Sequence, residues 1–287
     1  MTSESEVPAW FRAAIAVRPD HRDAEANGAR VHYRAWGTPG DPGLVLLHGG
    51  GAHSGWWDHL GPALAGAHRV VAPDLTGHGD SAHKPAYPRM QWCDDVAAVI
   101  AAEGFDRPVI VGHSMGGWIS IFTGVHYPSL LASLIVLDSP LGSPPPEESA
   151  LRRRLAPTRV YPTLDAALTR FRTVPEQPGS LPYVIDHVAR ESLRKVDGGW
   201  TWKFDPMVFS DRSPHRDLLL ELTVPATFVR SENGLVSPQM ARTLSHQHPL
   251  GMPIVELAAA GHHAMLDQPL ALLATLRTVL GDSASAS

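Results

Sequence analysis

The chain has 287 residues, of which 44% are hydrophobic and 18% are charged, and its formal net charge is −5. This length suits one large α/β domain, and an acidic balance without a basic block argues against a nucleic-acid-binding surface. The single cysteine, Cys93, excludes an internal disulfide, and neither a membrane span nor an apolar signal segment is visible, so we expect a cytoplasmic protein without membrane contact.

The first predicted element is a β-hairpin, because Asn27-Gly28 favours a tight turn between residues 21–26 and residues 29–36. Four short apolar runs follow, and each is typical of a strand buried on both faces. These runs are residues 44–47, 70–72, 109–111 and 134–137. Helical patterns at residues 94–103 and 115–127 lie between them, so the alternation predicts a parallel sheet flanked by helices.

The alternation stops after Pro140, where prolines and helical fragments continue to about residue 215. Strand patterns resume at residues 226–230 and 254–257, and a closing helix is predicted over residues 267–280. We therefore predict a core of residues 1–139 and 216–287 that is interrupted by a mostly helical insertion at residues 140–215.

A candidate nucleophile follows the strand at residues 109–111, in the sequence Gly112-His113-Ser114-Met115-Gly116. A serine in a sharp turn from strand to helix takes a strained backbone conformation, which requires small residues two positions before and after it. Gly112 and Gly116 meet that requirement. The pattern predicts that Ser114 is a nucleophile, with the amides at the helix N-terminus beside a developing oxyanion.

Two further segments complete the predicted acyl-transfer site. The strand at residues 44–47 leads into His48-Gly49-Gly50-Gly51, and such a glycine-rich loop lets a backbone amide approach a bound carbonyl. We predict the amides of Gly50 and Met115 as the oxyanion donors. His262 follows the last predicted strand and is the candidate general base, whereas its neighbour His263 is assigned a supporting or packing role.

The carboxylate that would orient His262 has two candidates. Asp138 ends the run at residues 134–137, and Glu232 follows the strand at residues 226–230. Both preserve the chain order of nucleophile, acid and histidine, so the order alone leaves both open.

These segments together resemble the α/β-hydrolase superfamily, in its capped esterase, lactonase and epoxide-hydrolase-like branch. The resemblance rests on the elbow at residues 112–116, the loop at residues 48–51, the turn at residues 74–81, and Gly261-His262. It implies a mostly parallel eight-stranded sheet flanked by helices, with residues 140–215 as a helical cap after the sixth strand. It also implies a Ser-His-acid triad.

One departure from the family concerns the acid. The family usually places an aspartate after the seventh strand, where this chain has Gly234. Some dehalogenases and lactonases instead carry the carboxylate at the end of the sixth strand, where this chain has Asp138. The resemblance therefore favours Asp138 over Glu232 as the triad acid.

The predicted reaction is hydrolysis of a carboxylic ester or lactone through an acyl-enzyme, without a cofactor or metal. A ligand-like stretch at residues 78–83 lacks the spacing of known metal motifs. The serine nucleophile disfavours dehalogenase and epoxide hydrolase chemistry, which uses aspartate in this family. We expect a small hydrophobic substrate, in a pocket with four candidate lining residues. These are Trp57, His113, Trp200 and Trp202.

Two alternatives use the same scaffold. Carbon–carbon hydrolases of ring-cleavage products typically carry asparagine before the nucleophile, where this chain has His113. The fold also serves as a small-molecule binding or receptor-like protein with little turnover, although Ser114 and His262 together argue for chemistry.

Overall fold

A central eight-stranded sheet organises the protein, as a computed structural model that describes residues 7–141, 158–210 and 218–285 shows. Its strands are β1 (Asp20–Ala26), β2 (Ala29–Trp36), β3 (Gly43–Leu47), β4 (Arg69–Pro73), β5 (Val109–His113), β6 (Ser133–Leu137), β9 (Ala226–Asn233) and β10 (Ile254–Gly261). They lie in the order β1-β2-β4-β3-β5-β6-β9-β10, and the six strands from β4 to β10 are mutually parallel. The predicted mostly parallel α/β sheet is confirmed.

The leading hairpin forms as the sequence predicts. Strands β1 and β2 pair antiparallel, with Ala26 opposite Ala29. Asn27 and Gly28 both have positive φ, 52° and 71°, which is the backbone of a two-residue turn that matches the twist of a hairpin.

The central strands are buried because helices cover both faces of the sheet. Every residue of β3 and β4 is buried, which agrees with the apolar sequence of β3 and of β4 after its first residue, Arg69. Parallel strands end at the same edge of a sheet, so the loops after β3, β5 and β6 come together there. That edge is where the candidate site residues lie.

The described residues contain ten α-helices. They are α1 (Ala9–Ala16), α2 (Gly61–Leu64), α3 (Arg89–Glu103), α4 (Met115–His126), α5 (Leu164–Leu168), α6 (Pro182–Glu191), α7 (Leu218–Glu221), α8 (Pro238–Gln247), α9 (Ala264–Asp267) and α10 (Pro269–Ser285). Buried residues of α3 and α4 join one apolar cluster, and those of α10 join the other. The closing helix predicted over residues 267–280 corresponds to α10, which begins at Pro269 and continues to Ser285, and the short α9 precedes it.

The described part of the insertion after β6 contains strands as well as the predicted helices. This part contains α5 and α6, but also an antiparallel hairpin of β7 (Leu193–Val196) and β8 (Gly199–Trp202). Asp197-Gly198 forms its turn, a dipeptide that favours hairpins, so a local signal for this turn was present. Residues 142–157 and 211–217 of the predicted cap and its border lie outside the described residues.

A buried ionic cluster joins the insertion to the core. The Arg34 guanidinium donates to Asp58 on the core and to Glu191 on α6. Burial opposes the charge of Arg34, but the two carboxylates outweigh it and raise the pKa of the guanidinium. The insertion is therefore held by an ion pair in which the Arg34 guanidinium is buried and the Glu191 carboxylate is partly exposed.

Among the described residues, no helix combines the length and apolar character that crossing a bilayer requires.

Six deeply buried histidines predict a pH-dependent stability, since desolvation lowers the pKa of each imidazole. They are His48, His53, His59, His78, His113 and His263. Because the pKa of each is below its ordinary 6.5 when folded, the unfolded state binds more protons below that pH. The free energy of unfolding should be level between about pH 7 and 8 and fall below that range, by about 1.4 kcal/mol per pH unit for each fully titrating histidine.

Asp95 offsets part of this loss, because burial raises the pKa of its carboxyl to about 6. Urea unfolding at about pH 7.5 and about pH 5.5 measures the difference. His59→Gln should reduce the slope by about one proton, whereas His246→Asn, at an exposed site, should leave it unchanged. Equal stability at the two pH values would contradict this account.

Candidate active site

Ser114 lies in the sharp turn between β5 and α4 that the sequence predicts. Its backbone is strained, with φ 54° and ψ −116°. A Cβ atom at Gly112 would lie 2.3 Å from the carbonyl oxygen of Gly116, and one at Gly116 would lie 2.7 Å from that of His48. The turn therefore requires glycine at both positions.

His262 lies between Ser114 and Asp138 and makes a hydrogen bond with each. The Nε2 atom of His262 is 3.1 Å from Ser114 Oγ, and its Nδ1 atom is 2.7 Å from Asp138 Oδ2. Because an ionised carboxylate only accepts, Nδ1 carries the proton and Nε2 is left to accept from the serine hydroxyl. The imidazole and the carboxylate are both buried, which strengthens their interaction.

Asp138 is held by the backbone around it. Its φ is 40°, and its own amide donates to the carbonyl of Val229. The carboxylate accepts from the amide of Leu235 at 2.8 Å and from that of Val236 at 3.4 Å. These bonds aim the carboxylate at His262, and the sequence did not indicate them.

The absence of a side chain at Gly234 makes room for that carboxylate. A Cβ atom there would lie 2.3 Å from Asp138 Oδ2. The space that a side chain at residue 234 would take is thus filled by the carboxylate of Asp138, which follows the neighbouring strand β6. This packing explains why this chain has glycine at residue 234.

The alternative acid, Glu232, points elsewhere. It is exposed at the end of β9, and its carboxylate accepts from the amide of Ala259 at 2.7 Å. Both ring nitrogens of His262 are already bonded, to Ser114 and to Asp138. The geometry therefore favours Asp138 over Glu232 as the carboxylate that orients His262.

The glycine-rich loop after β3 lies beside the start of α4. A Cβ atom at Gly50 would be 3.4 Å from the sulfur of Met115, so the two predicted oxyanion donors are neighbours. Within the described parts of the chain, neither of their amides donates a hydrogen bond. His48 supports the loop, since its Nδ1 donates to the carbonyl of Gly49 and its Nε2 accepts from the amide of Leu75.

Of the four predicted pocket residues, only His113 contacts the catalytic segment in the hydrogen bonds and ring contacts of the described residues. His113 is buried, and its Nε2 donates to the carbonyl of His262 at 2.9 Å. Trp57 is wholly buried in the apolar core, which corrects its assignment as a pocket residue. Its neighbour Trp56 instead lies against His263, with 5.4 Å between ring centroids.

The other two predicted pocket residues lie on β8. Trp202 packs on Tyr161 and Phe171, and Trp200 pairs through its backbone with Tyr161. These contacts are all within the insertion. An aromatic residue that the sequence analysis missed, Phe209, lies over the oxyanion loop, 3.0 Å from where a Cβ of Gly50 would be.

Two side-chain clusters in the described residues have donor types that suit a metal. His113, His262 and His263 have ligand atoms within 4.8 Å of one another, but His262 already uses both ring nitrogens for Ser114 and Asp138. The second cluster is His32, Asp74 and Asp80, and in it His32 donates to the Asp74 carboxylate at 2.8 Å. In each cluster at least one candidate ligand atom thus makes an internal hydrogen bond.

Comparison with known proteins gives one family and several relatives. The model of the alpha/beta hydrolase family matches residues 44–276. Esterase Rv0045c of Mycobacterium tuberculosis is 29% identical over 263 residues, which cover 85% of this chain and 84% of that protein. Its solved structure, described with its transition metal inhibition, has a TM-score of 0.72 at 25% identity and covers 92% of both chains.

Other matches are shorter or more distant. The soluble epoxide hydrolase of Corynebacterium sp. strain C12 is 37% identical over 120 residues, which are 41% of this chain and 41% of that protein. The crystal structure of E-2-(acetamidomethylene)succinate hydrolase has a TM-score of 0.79 at 22% identity, covering 92% of this chain and 99% of that one. The second similarity is one of fold.

The packing of Asp138 against residue 234 leads to a prediction. Gly234→Ala should displace the carboxylate from His262 and lower turnover of an ester about 100-fold, because a shift of about 1 Å has that effect. Gly66→Ala is the control, at an exposed glycine where a Cβ meets nothing within 4 Å. Turnover and thermal melting are measured for both variants. Wild-type turnover in Gly234→Ala would show that this contact is unimportant.

Proposed function

The chain belongs to the alpha/beta hydrolase family, and on that premise we propose that it is a serine hydrolase of carboxylic esters or lactones. The observation that supports this most is the continuous hydrogen-bonded line from Ser114 through His262 to Asp138. A serine, an imidazole and a buried carboxylate in this order are the groups that acyl transfer requires. The proposed roles are nucleophile, general base and orienting acid.

The first half of the proposed reaction forms the acyl-enzyme. The Ser114 oxygen attacks the ester carbonyl carbon while its proton passes to His262 Nε2. The carbonyl electron pair moves to oxygen, and the amides of Gly50 and Met115 donate to that oxyanion. Asp138 stabilises the imidazolium that results. The carbon–oxygen bond to the alcohol then breaks, and His262 gives its proton to the leaving oxygen.

The second half releases the acid. Water attacks the acyl carbon and gives its proton to His262 Nε2, which forms a second oxyanion between the same two amides. When that intermediate collapses, the proton returns to the Ser114 oxygen and the carboxylic acid leaves. For a lactone the alcohol stays attached to the acyl group, so one hydroxy acid is the product.

Ester chemistry is favoured over epoxide opening by the nucleophile and by the extent of similarity. Ser114 stands where, by family resemblance, epoxide hydrolases carry an aspartate. The relative named an esterase matches 85% of the chain, whereas the Corynebacterium epoxide hydrolase matches 41%.

Apolar groups near the site support a hydrophobic substrate. The ring of Phe209 lies over the oxyanion loop and contacts Phe204 edge-on, with 6.1 Å between centroids. Three exposed apolar side chains lie on segments that adjoin the site: Val174, Met207 and Leu235. An acyl chain or alcohol of low polarity would cover such surface.

The assignment of the acid is tested by two amide substitutions. Asp138→Asn keeps the size of the side chain but stabilises the wrong tautomer of His262, so kcat should fall about 10³- to 10⁴-fold. Glu232→Gln should stay within about threefold of wild type, because Glu232 faces the amide of Ala259. Hydrolysis of p-nitrophenyl butyrate measures both. The reverse pattern would assign the role to Glu232.

The reaction class is tested with a substrate panel. Wild-type protein is expected to hydrolyse p-nitrophenyl esters, lactones or both. Turnover confined to dienone substrates would favour carbon–carbon cleavage, and no turnover on the entire panel would favour a binding role; either result would overturn the proposal.

A further inference from the structure

The loop that carries His262 is held by side chains at each of its three residues. The amide of Gly261 donates to the Asp267 carboxylate at 2.7 Å. The carbonyl of His262 accepts from His113 Nε2 at 2.9 Å. His263 is held at both its amide and its carbonyl by one side chain, that of Gln177.

The side chain of Gln177 makes two hydrogen bonds with the backbone of His263. Its Oε1 accepts from the amide of His263 at 2.8 Å, and its Nε2 donates to the carbonyl of the same residue at 3.2 Å. A Cβ atom at Gly261 would lie 2.5 Å from the Gln177 carboxamide, so this group lies flat against the loop. A carboxamide donates and accepts from one planar group, whereas an ionised carboxylate only accepts and an ammonium only donates.

Gln177 differs from the other two supports because it belongs to the insertion. His113 and Asp267 are parts of the core, since they are the last residues of β5 and α9. A few residues beyond Gln177, the amide of Leu181 donates to the carbonyl of Leu266 at 2.8 Å. The insertion is therefore fixed to the same stretch of chain that presents His262.

We propose that Gln177 is a positioning residue for His262, and that through it the docking of the insertion becomes a condition for catalysis. The proposal rests on the proposed function of His262 as the general base. The ring of His262 must form hydrogen bonds with Ser114 and Asp138 at the same time. Its orientation therefore depends on the backbone position of the loop that carries it. Removing the clamp frees the neighbouring peptide groups to move, and a displacement of about 1 Å lowers rates about 100-fold.

The test uses Gln177→Met in the full chain, because methionine keeps the length of the side chain and loses both hydrogen bonds. We expect kcat for p-nitrophenyl butyrate to fall about 10- to 100-fold with KM within about threefold. We also expect the low-field proton resonance of the His262–Asp138 hydrogen bond to weaken or broaden. Gln239→Met is the matched control, at an exposed glutamine of α8, and should change neither quantity.

A second variant, Gln177→Glu, retains the acceptor and loses the donor, so its loss of kcat should be intermediate. If Gln177→Met does not fold, the kcat and the low-field resonance of Gln177→Glu provide the test. Wild-type kcat and a wild-type low-field resonance in a folded Gln177 variant would overturn the proposal. So would a lower melting temperature with that resonance unchanged, because this would indicate a structural role alone.

The resonance separates this proposal from the proposed function. If the wild-type protein hydrolyses no ester but its low-field resonance is lost in Gln177→Met, ester hydrolysis is wrong and the positioning role stands. If the wild type hydrolyses esters and the Gln177 variants match it in kcat and resonance, only the positioning role is wrong.

Discussion

The hydrogen bond between Asp138 and His262 is the interaction on which the rest of the site depends. It joins the ends of two strands, β6 and β10, across 124 positions of sequence, and both side chains are buried. It fixes the tautomer of the imidazole, so that Nε2 faces Ser114 as an acceptor. This bond depends on two local features. Asp138 has a left-handed backbone, and Gly234 has no side chain that would displace the carboxylate.

The parallel sheet supplies the rigidity that this arrangement needs. The loops after β3, β5, β6 and β10 each carry one part of the site, and buried strands hold their starting points. Ser114 keeps a strained backbone between β5 and α4, and the glycines two positions before and after it leave room for that turn. The insertion adds a further support through Gln177 and an aromatic cover through Phe209.

Features with a local cause could be predicted from the sequence, and features set by long-range packing could not. The hairpin at Asn27-Gly28 and the turn at Ser114 each follow from a few adjacent residues. The position of Asp138 followed from family resemblance, and its catalytic role stays a prediction. The clamp by Gln177 and the core position of Trp57 depend on residues that are distant in sequence, so no spacing indicated them.

The most direct measurement of the central claim is mass spectrometry of the protein after reaction with a fluorophosphonate, which traps an activated serine. The account predicts one covalent adduct per chain, on the peptide that contains Ser114, with labelling strongly slowed in His262→Ala. A protein that hydrolyses esters while Ser114 stays unlabelled, or that is labelled at another residue, would contradict it.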